Sequence, residues 1–187
     1  EEPREEGDPS DWERILMMVE NGATMMEIIR RFPAQAIRCQ SAISKLMAQV
    51  DLESAEWRDV EVSYLWGPTG SGKTSMIYKA HGYRDVYRAT NKSNPWDMYN
   101  GEPVVVFEEF RNSYDIADML NWIDGHPVML PARYADRVAK YTTVYIVSNW
   151  ELEEQYSNLQ VRSPETWKAL LRRIDHKVEV NQKVENT

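Results

Sequence analysis

Residues 67–74 read Gly67-Pro68-Thr69-Gly70-Ser71-Gly72-Lys73-Thr74, a spacing of glycines, lysine and hydroxyl that suits one chemistry. The glycines let the backbone curl until its N–H groups point at phosphate oxygens, and a helix beginning at the lysine adds the positive end of its dipole. Lys73 then reaches the β- and γ-phosphates of a nucleoside triphosphate, and Thr74 can ligate Mg2+. A chance match in a loop would lack the flanks found here, a β-branched and aromatic run ahead and a helical pattern behind. Binding of ATP with Mg2+, and its hydrolysis, is the expected chemistry.

Four further groups of residues bear on it. Val104-Val105-Val106-Phe107 is an apolar run ending in Glu108-Glu109. A P-loop ATPase needs a carboxylate at a neighbouring strand tip for the metal and a group to orient the attacking water. Glu108 is expected to face the metal and Glu109 the water, although two acids at a strand end also suit plain solvation. Ser148-Asn149 ends another apolar run, and catalytic groups of open α/β sheets gather at such ends. Asn149 can contact the γ-phosphate there, or simply form a turn. Arg172-Arg173 lies late in the chain, where two arginines fit equally a solvated helix face or an arginine finger reaching another subunit's nucleotide. Finally, residues 127–141 interleave Arg133, Tyr134, Arg137, Lys140 and Tyr141. Cations among aromatics suit single-stranded nucleic acid, through phosphate contacts and base stacking, and also suit an ordinary exposed hairpin. His81, His126 and His176 are scattered, without a pair at metal-ligand spacing.

The elements needed to position these groups can be traced. Ser10-Asp11-Trp12-Glu13 and Thr24-Met25-Met26-Glu27 are capping-box patterns, each followed by apolar residues at helical spacing. The first predicted helix stops near Gly22, the second at Pro33, and a third runs over 36–50. Strands are predicted at 60–66, 85–89, 104–107, 142–147 and 177–180, and helices at 73–80, 116–124 and 164–174. Alternating strands and helices after residue 57 mean an α/β domain with a mostly parallel sheet. The expected division is a linker at 1–9, a helical segment at 10–52 and an ATPase domain at 57–187.

The 187 residues hold 42% hydrophobic and 28% charged residues, as in a globular protein with a packed core. No apolar run approaches the roughly 20 residues of a membrane span. The net charge of −8 disfavours indiscriminate nucleic-acid binding, yet residues 133–140 carry three bases and one acid, enough for a local phosphate contact. The lone Cys39 fits a reducing compartment.

Taken in order, Trp66 to Thr74, Asn94-Pro95-Trp96-Asp97-Met98-Tyr99-Asn100-Gly101, Val104 to Phe110 and the block 127–149 resemble the superfamily 3 helicase domain of replication-initiation (Rep) proteins. These come from circoviruses, other circular single-stranded DNA viruses and related bacterial plasmids. The resemblance implies an AAA+-like ATPase working as a ring, typically a hexamer, and moving 3′ to 5′ on single-stranded DNA during rolling-circle replication. It implies Walker A roles for Lys73 and Thr74 and Walker B roles for Glu108 and Glu109, where many relatives carry Asp. It implies a DNA-contacting hairpin at 133–140, with Arg133 and Lys140 as its cations and Arg133-Tyr134-Ala135 where relatives have Lys-Gly-Gly. It implies a sensor role for Asn149, a finger among Arg172 and Arg173, and oligomerisation through the helices of 10–52. The nicking endonuclease of such proteins, with its paired histidines, has no counterpart in these residues, so a piece of a longer protein is expected. A eukaryotic virus would place it in the host nucleus, a bacterial plasmid in the cytoplasm. Other P-loop proteins, a kinase or a nucleotide-gated assembly module, share the phosphate loop without the motor.

Overall fold

The computed structural model describes residues 9–133 and 136–181. Three helices come first: α1 (Asp11–Glu20), α2 (Met25–Arg31) and α3 (Pro33–Glu53). Both predicted capping boxes form. The side chains of Ser10 and Thr24 accept from the backbone N–H groups of Glu13 and Glu27, whose carboxylates accept from the cap residues in return, satisfying donors that a helix start leaves unpaired. Pro33 does more than stop α2. It is the first residue of α3, where its missing N–H costs nothing, so the third helix starts earlier than the apolar spacing indicates. Cys39, at φ −125° and ψ 27°, kinks it. Ile15, Val19, Ile28, Phe32, Ala36 and Ile43 close these helices around a small core of their own.

The rest is a sheet with helices on both faces. Its strands are β1 (Glu61–Trp66), β2 (Val86–Ala89), β3 (Val104–Phe107), β6 (Thr143–Ser148) and β7 (His176–Glu179), in the spatial order β2-β3-β6-β1-β7 and parallel at every junction. Between β3 and β6 the chain makes α5 (Ile116–Trp122) and a short antiparallel pair, β4 (Met129–Leu130) and β5 (Arg137–Val138). The other helices are α4 (Lys73–His81), α6 (Ser157–Arg162) and α7 (Pro164–Leu171). Leaving out the β4–β5 hairpin, the parallel strands run fifth-first-fourth-third-second, and the phosphate-loop sequence follows the first. This is the mostly parallel α/β sheet that the alternation of strands and helices predicts, with the glycine-rich loop after its first strand. Helix α6 has no apolar periodicity and no buried residue, which is why the hydrophobic pattern does not announce it.

All four residues of β3 are buried, as a strand covered on both faces requires. One face carries an aromatic core in which Trp96 stacks on Tyr141 and meets Tyr99, Phe107 and Trp122 edge-on. Tyr141 is fully buried and its hydroxyl donates to the Trp122 carbonyl at 2.8 Å. It is therefore a core residue, out of reach of a nucleic-acid base, contrary to its grouping with the hairpin cations.

Candidate functional site

The loop between β1 and α4 turns three times through left-handed backbone, at Gly67 (φ 143°), Gly70 (φ 80°) and Gly72 (φ 87°). Gly67 is needed for a second reason. A Cβ there would stand 2.4 Å from the carbonyl oxygen of Val180, whose N–H donates to the Trp66 carbonyl at 2.7 Å. The close approach of β7 to the loop leaves room only for hydrogen.

Lys73, the first residue of α4, is 7% exposed. Its Nζ donates to the carbonyls of Gly67 (2.7 Å) and Pro68 (2.8 Å) and lies 3.3 Å from Ser71 Oγ and from the Asn149 side chain. Among the described residues it has no carboxylate partner. Burial pushes its pKa down, since a charged group out of water without a counter-charge is disfavoured. An ammonium held by neutral acceptors alone is poised for an anion, and that is the fit a triphosphate requires.

Around it lies a cavity of about 460 Å³ lined by Thr69 to Ser75, Lys92, Glu108, Glu109, Arg111 and Val147 to Asn149. The sequence-predicted groups at the tips of β3 and β6 thus meet the phosphate loop in one pocket. The carboxylate of Glu108 is ion-paired with Arg88 of the adjacent strand β2 and is only 12% exposed. Glu109 is exposed and takes a left-handed backbone, φ 49°, a conformation that costs a non-glycine residue about 1–3 kcal/mol and persists only where neighbours enforce it.

The enforcing neighbours are visible. Phe110 N donates to the Val147 carbonyl at 2.9 Å, and the Phe110 carbonyl accepts from Ser148 Oγ at 2.6 Å. Gln155 is fully buried; its Nε2 donates to Tyr64 Oη and Ser148 Oγ, and its Oε1 accepts from Asn112 N at 2.9 Å. This buried polar network ties the turn after β3 to the end of β6. Fully bonded networks of this kind rigidify what they hold. Gln155, Lys92 and Arg111 escape the sequence reading. Only Arg111 had a signal, a cation two residues beyond a strand-tip acid pair.

Thr74 and Glu108 offer one hydroxyl and one carboxylate on the cavity wall. That sparse donor set suits Mg2+, which keeps waters and takes its other ligands from phosphates. No cluster of three or more acidic, histidine or cysteine ligands occurs among the described residues.

The remaining predicted residues lie elsewhere. Arg172 is exposed and Arg173 half-buried at the end of α7. Arg173 donates to Asp124 Oδ2 from Nε (2.9 Å) and Nη2 (2.6 Å). Because α7 leads into the start of β7, which runs parallel to β1, both arginines sit at the end of the sheet away from the phosphate loop. They are not brought to the pocket of their own chain. On the hairpin, Arg133 is clamped by Asp97, with Nε and Nη2 each 2.6 Å from Oδ2 and its backbone N 2.9 Å from Oδ1. Lys140 pairs with Asp51 of α3 at 2.8 Å. Arg137 is half-buried in β5, and Tyr134 lies outside the described residues.

Residues 63–150 match the RNA helicase family model. The chain is 25% identical over 173 residues to the replication-associated protein of Porcine circovirus 1, covering 92% of this chain and 54% of that protein. It is 28% identical over 149 residues to that of Beak and feather disease virus, covering 80% and 46%. The likeness to circovirus-type replication proteins read from the motifs therefore extends along most of the sequence. The chain spans about half the length of these curated relatives. A structural comparison aligns 95% of the chain, and 37% of the other, with the Saccharomyces cerevisiae Hsp104–ADP complex at 16% identity and a TM-score of 0.43.

Proposed function

We propose that this chain is an ATP-driven DNA helicase motor, the superfamily 3 domain of a Rep protein that unwinds DNA 3′ to 5′ during rolling-circle replication. The observation that carries the reading is the buried Lys73 ammonium, which has no carboxylate partner among the described residues, at the meeting point of the phosphate loop and two strand tips. Backbone N–H groups of the loop and Lys73 hold the phosphates. Thr74 and Glu108 hold Mg2+, which when bound neutralises charge building on the phosphates. Glu109 orients the attacking water, its backbone already fixed in the turn that aims it. Asn149 reads the terminal phosphate from the tip of β6.

The division into a helical segment at 10–52 and an ATPase domain at 57–187 belongs to the same proposal. Trp12, Leu16, Met17, Met26 and Ile37 expose apolar surface on α1, α2 and α3, which supports their use between copies in a ring, expected to be a hexamer. In a ring, Arg172 is the freer finger, since Arg173 is engaged by Asp124. Arg133 and Lys140 of each copy face single-stranded DNA in the channel and exchange their carboxylate partners for phosphates.

Phosphate release by the purified chain with ATP and Mg2+, and no acceptor, tests the chemistry. Hydrolysis that Lys73→Ala abolishes is expected; transfer only to an added acceptor would make it a kinase. Native mass spectrometry with and without ATP and Mg2+ tests the ring. Strand separation of forked DNA by assembled rings separates a motor from a nucleotide-gated assembly module.

A further inference from the structure

We infer that Arg111 is a second phosphate-contacting cation, taking the terminal phosphate of bound ATP from the far side of Asn149 from Lys73. The inference rests on the nucleotide site proposed above and adds a residue to it.

Its first support is the position of Arg111 against Asn149. The Asn149 amide stands between two cations. With its oxygen turned one way it accepts from Lys73 Nζ at 3.3 Å. Turned the other way it accepts from Arg111 Nη2 at 3.3 Å and from Thr69 Oγ1 at 3.1 Å, while its nitrogen donates to the Gly67 carbonyl at 3.1 Å. One neutral amide cannot offer its oxygen to both cations at once. The second orientation pairs both ends of the amide and leaves Lys73 its bonds to Gly67, Pro68 and Ser71, so Asn149 hydrogen-bonds Arg111 at the edge of the phosphate pocket.

The second support is charge. Like Lys73, Arg111 has no carboxylate partner among the described residues, while Arg88, Arg133, Arg173 and Lys140 each have one. The acid nearest in sequence to Arg111 that is engaged, Glu108, is engaged by Arg88. An arginine lining a pocket beside a lysine, with neither compensated, is the pattern of an anion site, and the planar fork of a guanidinium matches phosphate oxygens.

The third support is rigidity. The guanidinium lies over the Trp150 ring, 5.6 Å from its centroid, and the backbone N of Arg111 donates to Ser113 Oγ at 3.1 Å. The residues on either side are pinned: Phe110 to Val147 and Ser148, Asn112 to Gln155 and, through its Oδ1, to the N–H of Tyr156 at 2.6 Å. A turn held this firmly through a fully buried glutamine aims whatever projects from it, and what projects is Glu109 and Arg111.

The contact is with the terminal phosphate, so it must discriminate ATP from ADP. Dissociation constants for fluorescent ATP and ADP analogues, with Mg2+, are to be measured on the full chain, Arg111→Ala, Arg111→Lys and Lys73→Ala. Arg111→Ala is expected to weaken the ATP analogue by about tenfold or more, as loss of a charge-assisted hydrogen bond does, and to leave the ADP analogue within about twofold. Arg111→Lys is expected to restore part of the loss. Equal weakening for both nucleotides would mean a merely structural role, and unchanged ATP affinity would remove Arg111 from the site; either overturns the inference. If Arg111→Ala does not fold, Arg111→Lys and Arg111→Gln decide by the same ATP-against-ADP difference. Wild-type chain that binds neither nucleotide overturns the nucleotide site itself, whereas binding that Lys73→Ala abolishes and Arg111→Ala leaves intact overturns this inference alone.

Discussion

The phosphate pocket and the β4–β5 hairpin both present cations, and they hold them in opposite ways. In the pocket, Lys73 and Arg111 touch carbonyls, a hydroxyl, an amide and an aromatic ring, with no carboxylate partner among the described residues. On the hairpin, Arg133 is gripped by Asp97 and Lys140 by Asp51. A cation among neutral acceptors is preorganised, because an arriving anion displaces no counter-charge. A cation already paired must trade one partner for another, so its contribution to binding is the small difference between two ion pairs. The first arrangement suits tight retention of one ligand. The second suits contacts made and released repeatedly, and the two acids come from outside the hairpin, Asp51 from α3 and Asp97 from the loop before β3.

This contrast can be broken or sharpened by experiment, and the largest effect is expected in the pocket. Lys73→Ala should lower ATP turnover by roughly two orders of magnitude or more, measured as phosphate release, since it removes a preorganised charge at the reacting phosphates. Turnover equal to wild type would remove the pocket from the chemistry. Next comes Gly67→Ala, whose Cβ would stand 2.4 Å from the Val180 oxygen. Forcing β7 away from the loop should cost about 2 kcal/mol of stability in a denaturant titration and weaken nucleotide binding in parallel. Unchanged stability would mean that β7 yields freely.

On the hairpin, effects should be smaller and of both signs. Arg133→Ala with Lys140→Ala should weaken single-stranded DNA binding several-fold at low salt, with a reduced salt slope, while basal ATP hydrolysis survives. Asp97→Ala should tighten DNA binding about threefold, because it releases Arg133 from its competitor. Weaker binding in that variant would mean that Asp97 aims Arg133 rather than restrains it. The smallest effect is on pH. The Arg133 backbone N–H and guanidinium hold the Asp97 pKa below its ordinary 3.8. The clamp's stabilisation is therefore fully present above the unfolded carboxylate pKa and is lost only as pH falls through the lower, folded value. The Arg133 amide resonance should be constant from neutral pH down to about 4 and shift below it. A midpoint at the ordinary carboxylate value of 3.8, with no lowering, would show that the clamp is open in solution.

How much of this was legible in the sequence depended on whether a feature is local. That Gly67 to Thr74, Glu108, Glu109 and Asn149 meet at one end of the sheet could be read because each group directly follows a predicted parallel strand. The capping boxes at Ser10 and Thr24 could be read because the bonding partners lie three residues apart. Pro33 carried two messages, stop and start, and periodicity alone heard the first. Tyr141 was misread because an aromatic among cations has the same local pattern on a surface or in a core; its stack on Trp96 joins residues far apart in sequence. Gln155 gave no signal at all, a polar residue whose bonds to Tyr64, Ser148 and Asn112 exist only once β1, β6 and the turn after β3 are side by side.

The sequence by itself determined that a glycine-rich loop ending in Lys73 and Thr74 sits between a strand and a helix of a parallel α/β sheet, with acids and an asparagine on neighbouring strand tips. Those are consequences of backbone chirality, spacing and apolar periodicity, which act over a few residues. The tertiary structure alone decided which charges are compensated. It set Arg88 on Glu108, Asp97 on Arg133 and Asp51 on Lys140, and it left Lys73 and Arg111 facing the two sides of Asn149. Electrostatic partners are chosen by distance in space, and the order of strands in the sheet sets those distances.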